Sequence, residues 1–408
     1  MAAINVKSEI KPLKKVLLHR PGNELLNLTP DTLAQLLFDD IPFLKVAQAE
    51  HDAFANILRG EGVEVVYLED LMAEAIAQST EIREQFLRQY IVEAGIRTAK
   101  WQRIVFDYLN AIKDSKELVL KTMEGIQLKE INHKVENSLV DLVSEADKMI
   151  IDPMPNLYFT RDPFACIGNG VSLNRMYSVT RNRETIYGEY IFKYHPDFAG
   201  QVEKWYDRYD AFHIEGGDIL NINEHVLAIG ISQRTCPDAI DAIAKNIFNN
   251  PKATIDTILA FNIPNNRAMM HLDTVFTQID VDKFTVHPGI LGTLQVFELT
   301  KGSSPEEVTV KEINDTLEHI LEKYTGQEKI TLIQCAGGDR IASEREQWND
   351  GSNTLCVAPG VIVVYERNDV TNALLNKHGL KVLEMPSAEL SRGRGGPRCM
   401  SMPLVRED

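Results

Sequence analysis

Long apolar runs are missing from this 408-residue chain. No segment approaches the roughly 20 consecutive apolar residues needed to cross a bilayer. Met1 to Arg20 holds no apolar stretch of the kind a secretory signal requires. No membrane is therefore expected as a partner, and a cytoplasmic setting is the expectation. Cysteine is sparse: Cys166, Cys236, Cys335, Cys356 and Cys399 are odd in number, widely spaced and without a C-x-x-C. That excludes a disulfide framework and a zinc site, and it suits a reducing compartment. Positive charge is short, with 43 Lys and Arg against 59 Asp and Glu and a formal net charge of -16. Such a field argues against nucleic acid and anionic lipid as partners and accommodates a cationic ligand. No proline occurs between Pro42 and Pro153, and glycine is nearly absent from residues 71–149. That stretch lacks the residues that interrupt helices.

What is present falls into three textures. Lys15 to Leu18 reads as a strand stopped by Pro21-Gly22. Val46 to Leu58 has helical periodicity, with Val46, Ala49, Ala53, Phe54 and Ile57 on one face. Gly60 and Gly62 end it, and Val63 to Tyr67 reads as a second strand. From Leu71 to Met149, apolar residues recur at helical spacing. They include Ile82, Phe86, Tyr90, Ile91, then Trp101, Val105, Tyr108, Leu109, then Leu118, Val119, Met123 and Ile126. Four or five amphipathic helices are expected there, as a bundle inserted into the surrounding fold. From Ile151 onward short strands return. Val361 to Tyr365, Val370 to Lys377, Gly379 and Lys381 to Glu384 repeat the strand, helix, glycine, strand order of residues 15–67. Glu215-Gly216-Gly217-Asp218 and Ala336-Gly337-Gly338-Asp339 form a second candidate repeat, Arg161 to Phe164 and Leu272 to Phe276 a third. Together they predict a repeated strand-rich unit closing around an axis.

Polar residues concentrate in five loop-like segments: 155–163, 212–218, 269–274, 337–340 and 391–400. Cys399 follows a loop rich in glycine and arginine, a context too polar for core, whereas Cys356 sits in the apolar run Leu355-Cys356-Val357. A passive buried thiol is the competing reading for any cysteine. A thiol nucleophile needs a base brought near it by the fold, and His271 is the candidate. His271 and Asp273, alternating at a strand end, would point to one face. Glu215 precedes two glycines that would let backbone approach a ligand closely. Asp162, ahead of Pro163, could instead be a turn residue capping its own backbone.

The strings FTRDP, EGGD, MHLDTVF, EREQWNDG and RGRGGPRCM occur in that order. The set resembles the arginine deiminases over nearly the whole chain, from LLFDD to the C-terminal cysteine loop. The resemblance implies an α/β pentein fold, a five-bladed α/β propeller of ββαβ units. Residues 1–70 and 149–408 would form the catalytic domain, and residues 71–148 the inserted α-helical bundle domain. It implies hydrolysis of L-arginine to L-citrulline and ammonia through an amidino-cysteine intermediate, the first step of arginine catabolism, with no metal or organic cofactor. Cys399 matches the nucleophile, His271 the general acid/base, and Glu215 the carboxylate that orients it. Asp162 and Asp273 match the grip on the guanidinium, and Asn156, Arg181 and Arg234 the hold on the substrate carboxylate. Leu37, Phe159, Gly393 and Arg394 match pocket-lining or gating positions. A homo-oligomer, dimer or higher, is expected. A dimethylarginine hydrolase or amidinotransferase of the same fold is the nearest alternative. A ribosome-binding pentein predicts no need for a cysteine, a histidine and three acids in separate loops. A cysteine protease is disfavoured because acids beside the thiol suit a cation better than a neutral amide.

Overall fold

Strand Leu13–Leu18 carries the first of five sheets that share one pairing rule. In the computed structural model, which describes residues 3–131, 148–264, 269–290 and 294–408, each sheet pairs two strands antiparallel and then adds a third in parallel. Phe164–Ile167 pairs antiparallel with Gly170–Leu173, which pairs parallel with Glu203–Tyr206. Ile219–Asn221, Val226–Ile231 and Thr257–Asn262 repeat this, as do Phe276–Gln278, Lys283–Val286 and Thr331–Gln334. Leu355–Ala358, Val361–Tyr365 and Lys381–Met385 form the next such set. The remaining sheet draws its first strand from the other end of the chain: Met402–Arg406 lies antiparallel to Leu13–Leu18, which is parallel to Glu64–Tyr67. A parallel pair needs a crossover, and helices supply it. Leu44–Gly60, Thr185–Tyr194, Pro237–Phe248, Leu317–Thr325 and Asp369–Lys377 each lie between the second and third strands of a set. One sheet is widened by the antiparallel strands Gln295–Lys301 and Val308–Ile313.

The repeat expected from residues 361–384 is present, and so is the correspondence of 161–164 with 272–276: both precede the first strand of a set. The glycine pairs do not correspond. Glu215–Asp218 leads into the first strand Ile219–Asn221, but Ala336–Asp339 follows the third strand Thr331–Gln334. There Asp339 caps helix Arg340–Trp348, accepting from the Ala342 amide at 2.8 Å. Segment 337–340 is thus an exposed helix start.

The helical stretch begins at Leu68, directly after strand Glu64–Tyr67, not at Leu71. Helices Leu68–Ile76, Thr80–Glu93, Ala99–Ala111 and Ser115–Glu124 follow, and residues 132–147 lie outside the described ones. Gly125, at φ 83°, ends the last of them, so Ile126 starts a short strand instead of continuing the helical face. These helices share a buried apolar cluster with the strands and helix that follow residue 163. Phe86 packs edge-on against Tyr190 with ring centroids 5.3 Å apart, and the Thr122 and Tyr187 hydroxyls meet at 3.0 Å. Among the described residues, no helix is long and apolar enough to cross a membrane.

Candidate active site

Each set of strands is entered through a short segment just before its first strand, and these segments converge. Asp162 precedes Phe164, Glu215 to Asp218 precede Ile219, and His271 to Val275 precede Phe276. Asp350 to Thr354 precede Leu355, and Arg398 to Ser401 precede Met402. Between them lies a cavity of about 520 Å³. Asn156, Phe159, Asp162, Arg181, Arg234, His271, Gly393, Arg394, Leu37 and Cys399 all line it. Glu215 and Asp273 do not; both are fully buried, one behind His271 and the other beside Cys399.

The segment at 271–275 is not a strand end. His271 is the N-cap of a helical turn, Leu272–Val275, whose start is closed by the Thr274 hydroxyl donating to the His271 carbonyl at 2.7 Å. Asp218 fixes this turn, accepting from the Leu272 amide at 2.9 Å and from the Ser232 and Thr235 hydroxyls at 2.7 Å. Burial raises the Asp218 carboxyl to about 7. The glycines of EGGD admit protein, not ligand. A Cβ on Gly217 would stand 2.5 Å from the His271 ring, and one on Gly216 2.0 Å from the Arg161 carbonyl oxygen. Gly217→Ala is therefore expected to displace His271 and to lower kcat by about 10²-fold, the scale of a 1 Å misplacement of a reacting group. Steady-state kinetics with a check of thermal stability measures it. Wild-type kcat in a folded variant would show that the ring has room.

His271 Nε2 meets Glu215 Oε2 at 2.9 Å, and its Nδ1 lies 4.0 Å from Asp162 Oδ1. Burial opposes the charged imidazole, but Asp162 and Glu215 outweigh it and hold the ring near 9. His271 is thus an imidazolium at neutral pH. Glu215 also accepts from the Tyr177 amide at 3.0 Å and faces Arg234 Nη1 at 3.5 Å. Burial works against its charge, yet Arg234 and His271 hold it well below the usual carboxylate range.

The two aspartates are arranged alike. Asp162 Oδ2 accepts from Arg181 at 2.9 Å, and Asp273 Oδ2 accepts from Arg398 at 2.9 Å. Asp162 Oδ1 and Asp273 Oδ1 are buried and have no hydrogen-bond partner among the described residues. Such groups are costly unless something fills them. Cys399 Sγ sits 3.6 Å from Asp273 Oδ2. Burial, then Asp273, Asp162 and Asp350, push its thiol well above the ordinary value.

Arg181 is buried and committed, its Nε and Nη2 to Glu184 and its Nη1 to Asp162. Arg234 is less enclosed, its guanidinium lying 5.7 Å from the Tyr177 ring centroid. Asn156 donates to the Leu36 carbonyl at 2.7 Å, which ties it to the turn carrying Leu37. Phe159 packs on Tyr158 with centroids 4.0 Å apart.

The cysteine loop lies inside the protein despite its polar sequence. Gly395 to Met400 are buried, and Arg398 is 1% exposed. Arg398 bonds both Glu9 oxygens at 3.1 Å, Asp273, and the Ile219 carbonyl at 2.8 Å. A buried guanidinium with that many acceptors is tolerable. Sequence reasoning passed over Arg398, Glu9, Glu184, Asp218, Asp350 and the rim residues Asp39 and Tyr177. The partners Glu9 and Arg398 are 389 positions apart, and no local signal links them. Asp162, Glu215 and His271 bring ligand atoms within 4.8 Å of one another. The guanidinium of Arg181 lies against Asp162 and that of Arg234 against Glu215, and their charge opposes a dication there.

The profile of a family described as arginine deiminase matches residues 34–406. An arginine deiminase from Treponema denticola is 71% identical over 408 residues, covering 100% of both chains. One from Clostridium perfringens is 55% identical, covering 100% of this chain and 98% of its own. Among solved structures, an amidinotransferase of saxitoxin biosynthesis from Microseira wollei superposes with a TM-score of 0.57 at 14% identity, covering 100% of this chain and 98% of that one.

Proposed function

The chain belongs to the arginine deiminase family and hydrolyses the guanidino C–N bond of L-arginine, giving L-citrulline; from that premise we propose a role for each side chain around the cavity. The observation that carries the reading is the pair of buried oxygens Asp162 Oδ1 and Asp273 Oδ1, which lack a hydrogen-bond partner among the described residues. A guanidinium is planar and charged, and its N–H groups suit two carboxylates at once. Arg181 and Arg398 hold the other oxygen of each acid, which leaves one oxygen of each to accept; Asp162 lines the cavity, and Asp273 lies just behind its wall beside Cys399. That fixes the guanidinium carbon against Cys399.

With the guanidinium bound, the Cys399 thiol gives its proton to solvent, and the thiolate attacks the carbon to form a neutral tetrahedral adduct. His271, already protonated, gives its proton to the departing nitrogen, and ammonia leaves. A planar amidino-thioether remains on the sulfur. Neutral His271 then takes a proton from water, whose oxygen attacks the same carbon, and citrulline leaves with the free thiol. Glu215 holds Nε2 through both steps, which supports Nδ1 as the proton carrier.

Arg234 and Asn156 would hold the substrate carboxylate, with Arg181 reaching it from beside Asp162, and Leu37, Phe159, Gly393 and Arg394 would form the walls and mouth. Argininamide, lacking the charge, is expected to show kcat/KM lower by about 30-fold or more, the lower end of what a desolvated charge pair contributes. Ammonia release across a panel of guanidino compounds tests this. Equal values for arginine and its amide would place the carboxylate elsewhere.

The α/β pentein fold follows from the structural likeness. The finer reading is a five-bladed propeller formed by residues 1–70 and 149–408, with 71–148 as an inserted helical domain. The five strand sets and the pairing of the two chain ends support it. A homo-oligomer in a cytoplasmic setting completes the reading, the latter supported by five free thiols.

A further inference from the structure

The wall of the cavity carries a guanidinium that belongs to the chain. Arg394 lines the same cavity as Asp162 and Cys399. It follows the helical turn Leu390–Gly393 at φ 63°, a left-handed conformation that side chains other than glycine adopt at a cost. Its guanidinium carbon lies 3.5 Å from the centroid of the Trp348 ring, and its Nη1 lies 3.6 Å from Asp39 Oδ2. Trp348 ends helix Arg340–Trp348 and is 52% exposed, so packing does not account for an indole there. Leu37, which lines the same cavity, is strained in the same way at φ 56°.

A pocket aimed at a guanidinium cannot tell the head group of Arg394 from that of substrate by charge or shape. A tethered group also competes at an effective concentration on the order of mM. Something must make the outer position of Arg394 the better one. A guanidinium stacked on indole is the strongest of the cation–ring pairings, and Asp39 adds an opposite charge.

We infer that Trp348 is a positioning residue that parks the Arg394 guanidinium at the cavity mouth, with Asp39 opposite, and so keeps it out of the site the substrate guanidinium must occupy. The inference rests on the reading of Asp162 and Asp273 as that site. Parking is a population effect: substrate affinity falls by the fraction of molecules in which the pocket is self-occupied, whereas saturating arginine displaces the competitor.

The test is steady-state kinetics with arginine on Trp348→Ala and Trp348→Phe. The alanine variant is expected to raise KM about two- to ten-fold with kcat retained, from the loss of a contact of cation–π strength. Phenylalanine, with a weaker ring face, should restore most of the wild-type KM. A structural role would not depend on the charge at 394, so the same substitution is repeated on an Arg394→Gln background. Whatever KM that background has, Trp348→Ala should raise it no further. Unchanged or lowered KM in Trp348→Ala overturns the inference, as does a fall in kcat at constant KM or an equal KM rise on the Arg394→Gln background. If instead the wild-type protein releases no ammonia from arginine, the guanidinium-site reading fails first and the inference with it.

Discussion

Cys399→Ala is expected to abolish arginine turnover, by on the order of 10⁶-fold, the scale seen when a covalent nucleophile is removed, while leaving the fold intact. The sulfur is not what holds its loop. The Cys399 amide donates to Asn353 Oδ1 at 3.3 Å and its carbonyl accepts from the Arg161 amide at 3.1 Å, and both survive truncation. The neighbouring Arg398 remains tied to Glu9 and Asp273. The other four thiols are poor substitutes. None of Cys166, Cys236, Cys335 and Cys356 lines the cavity, whereas Cys399 does. Mass spectrometry after reaction with a slow substrate, or with a His271→Ala variant, should therefore find an amidino-sized adduct on Cys399. An adduct on any other cysteine would remove it as the nucleophile.

The parts of this site that were legible in the sequence are those whose signal is local. A thiol beside glycines and arginines, a histidine two residues from an aspartate, and a glutamate ahead of two glycines stand out because each sits where a core residue would not. The strand, helix, glycine, strand order of residues 361–384 was legible because period and breakers are local too. What was misread depended on partners far along the chain. The loop around Arg398 looks too polar for core until Glu9 is brought to it. Gly217 looks like a ligand cradle until the His271 ring is laid on it. The turn at Leu272–Val275 reads as a strand end, because His271 and Asp273 alternate as they would on a strand. Asp218 tips the balance by accepting from the Leu272 amide across 54 positions. Ala336–Asp339 resembles Glu215–Asp218 in letters only, since the same residues suit a helix start and a turn alike.

The free enzyme should hold Cys399 as a thiol at neutral pH and ionise it only when a guanidinium arrives. The sequence already placed two acids near the sulfur. The structure adds that burial is the larger cause, and that Asp350, itself raised by burial to about 7, contributes after Asp273 and Asp162. Each of these disfavours the thiolate, so the folded thiol loses its proton at higher pH than a free cysteine. His271 cannot take that proton in the resting state, because it is itself an imidazolium until pH rises to about 9. In the proposed binding mode, arginine changes the balance by bringing a positive charge to Asp162 and Asp273. The repulsion they exert on a thiolate is then largely cancelled, and the imidazolium is left as the acid that the leaving nitrogen needs. Thiolate ultraviolet absorbance of the free enzyme should be absent at neutral pH and should grow in only under alkaline conditions. Asp273→Asn, which removes the nearest negative charge at 3.6 Å, should shift that titration to lower pH while still destroying catalysis, because the substrate grip is lost. A free-enzyme thiolate already present at pH 7, or a titration that Asp273→Asn leaves where it was, would mean that the acids do not control the sulfur.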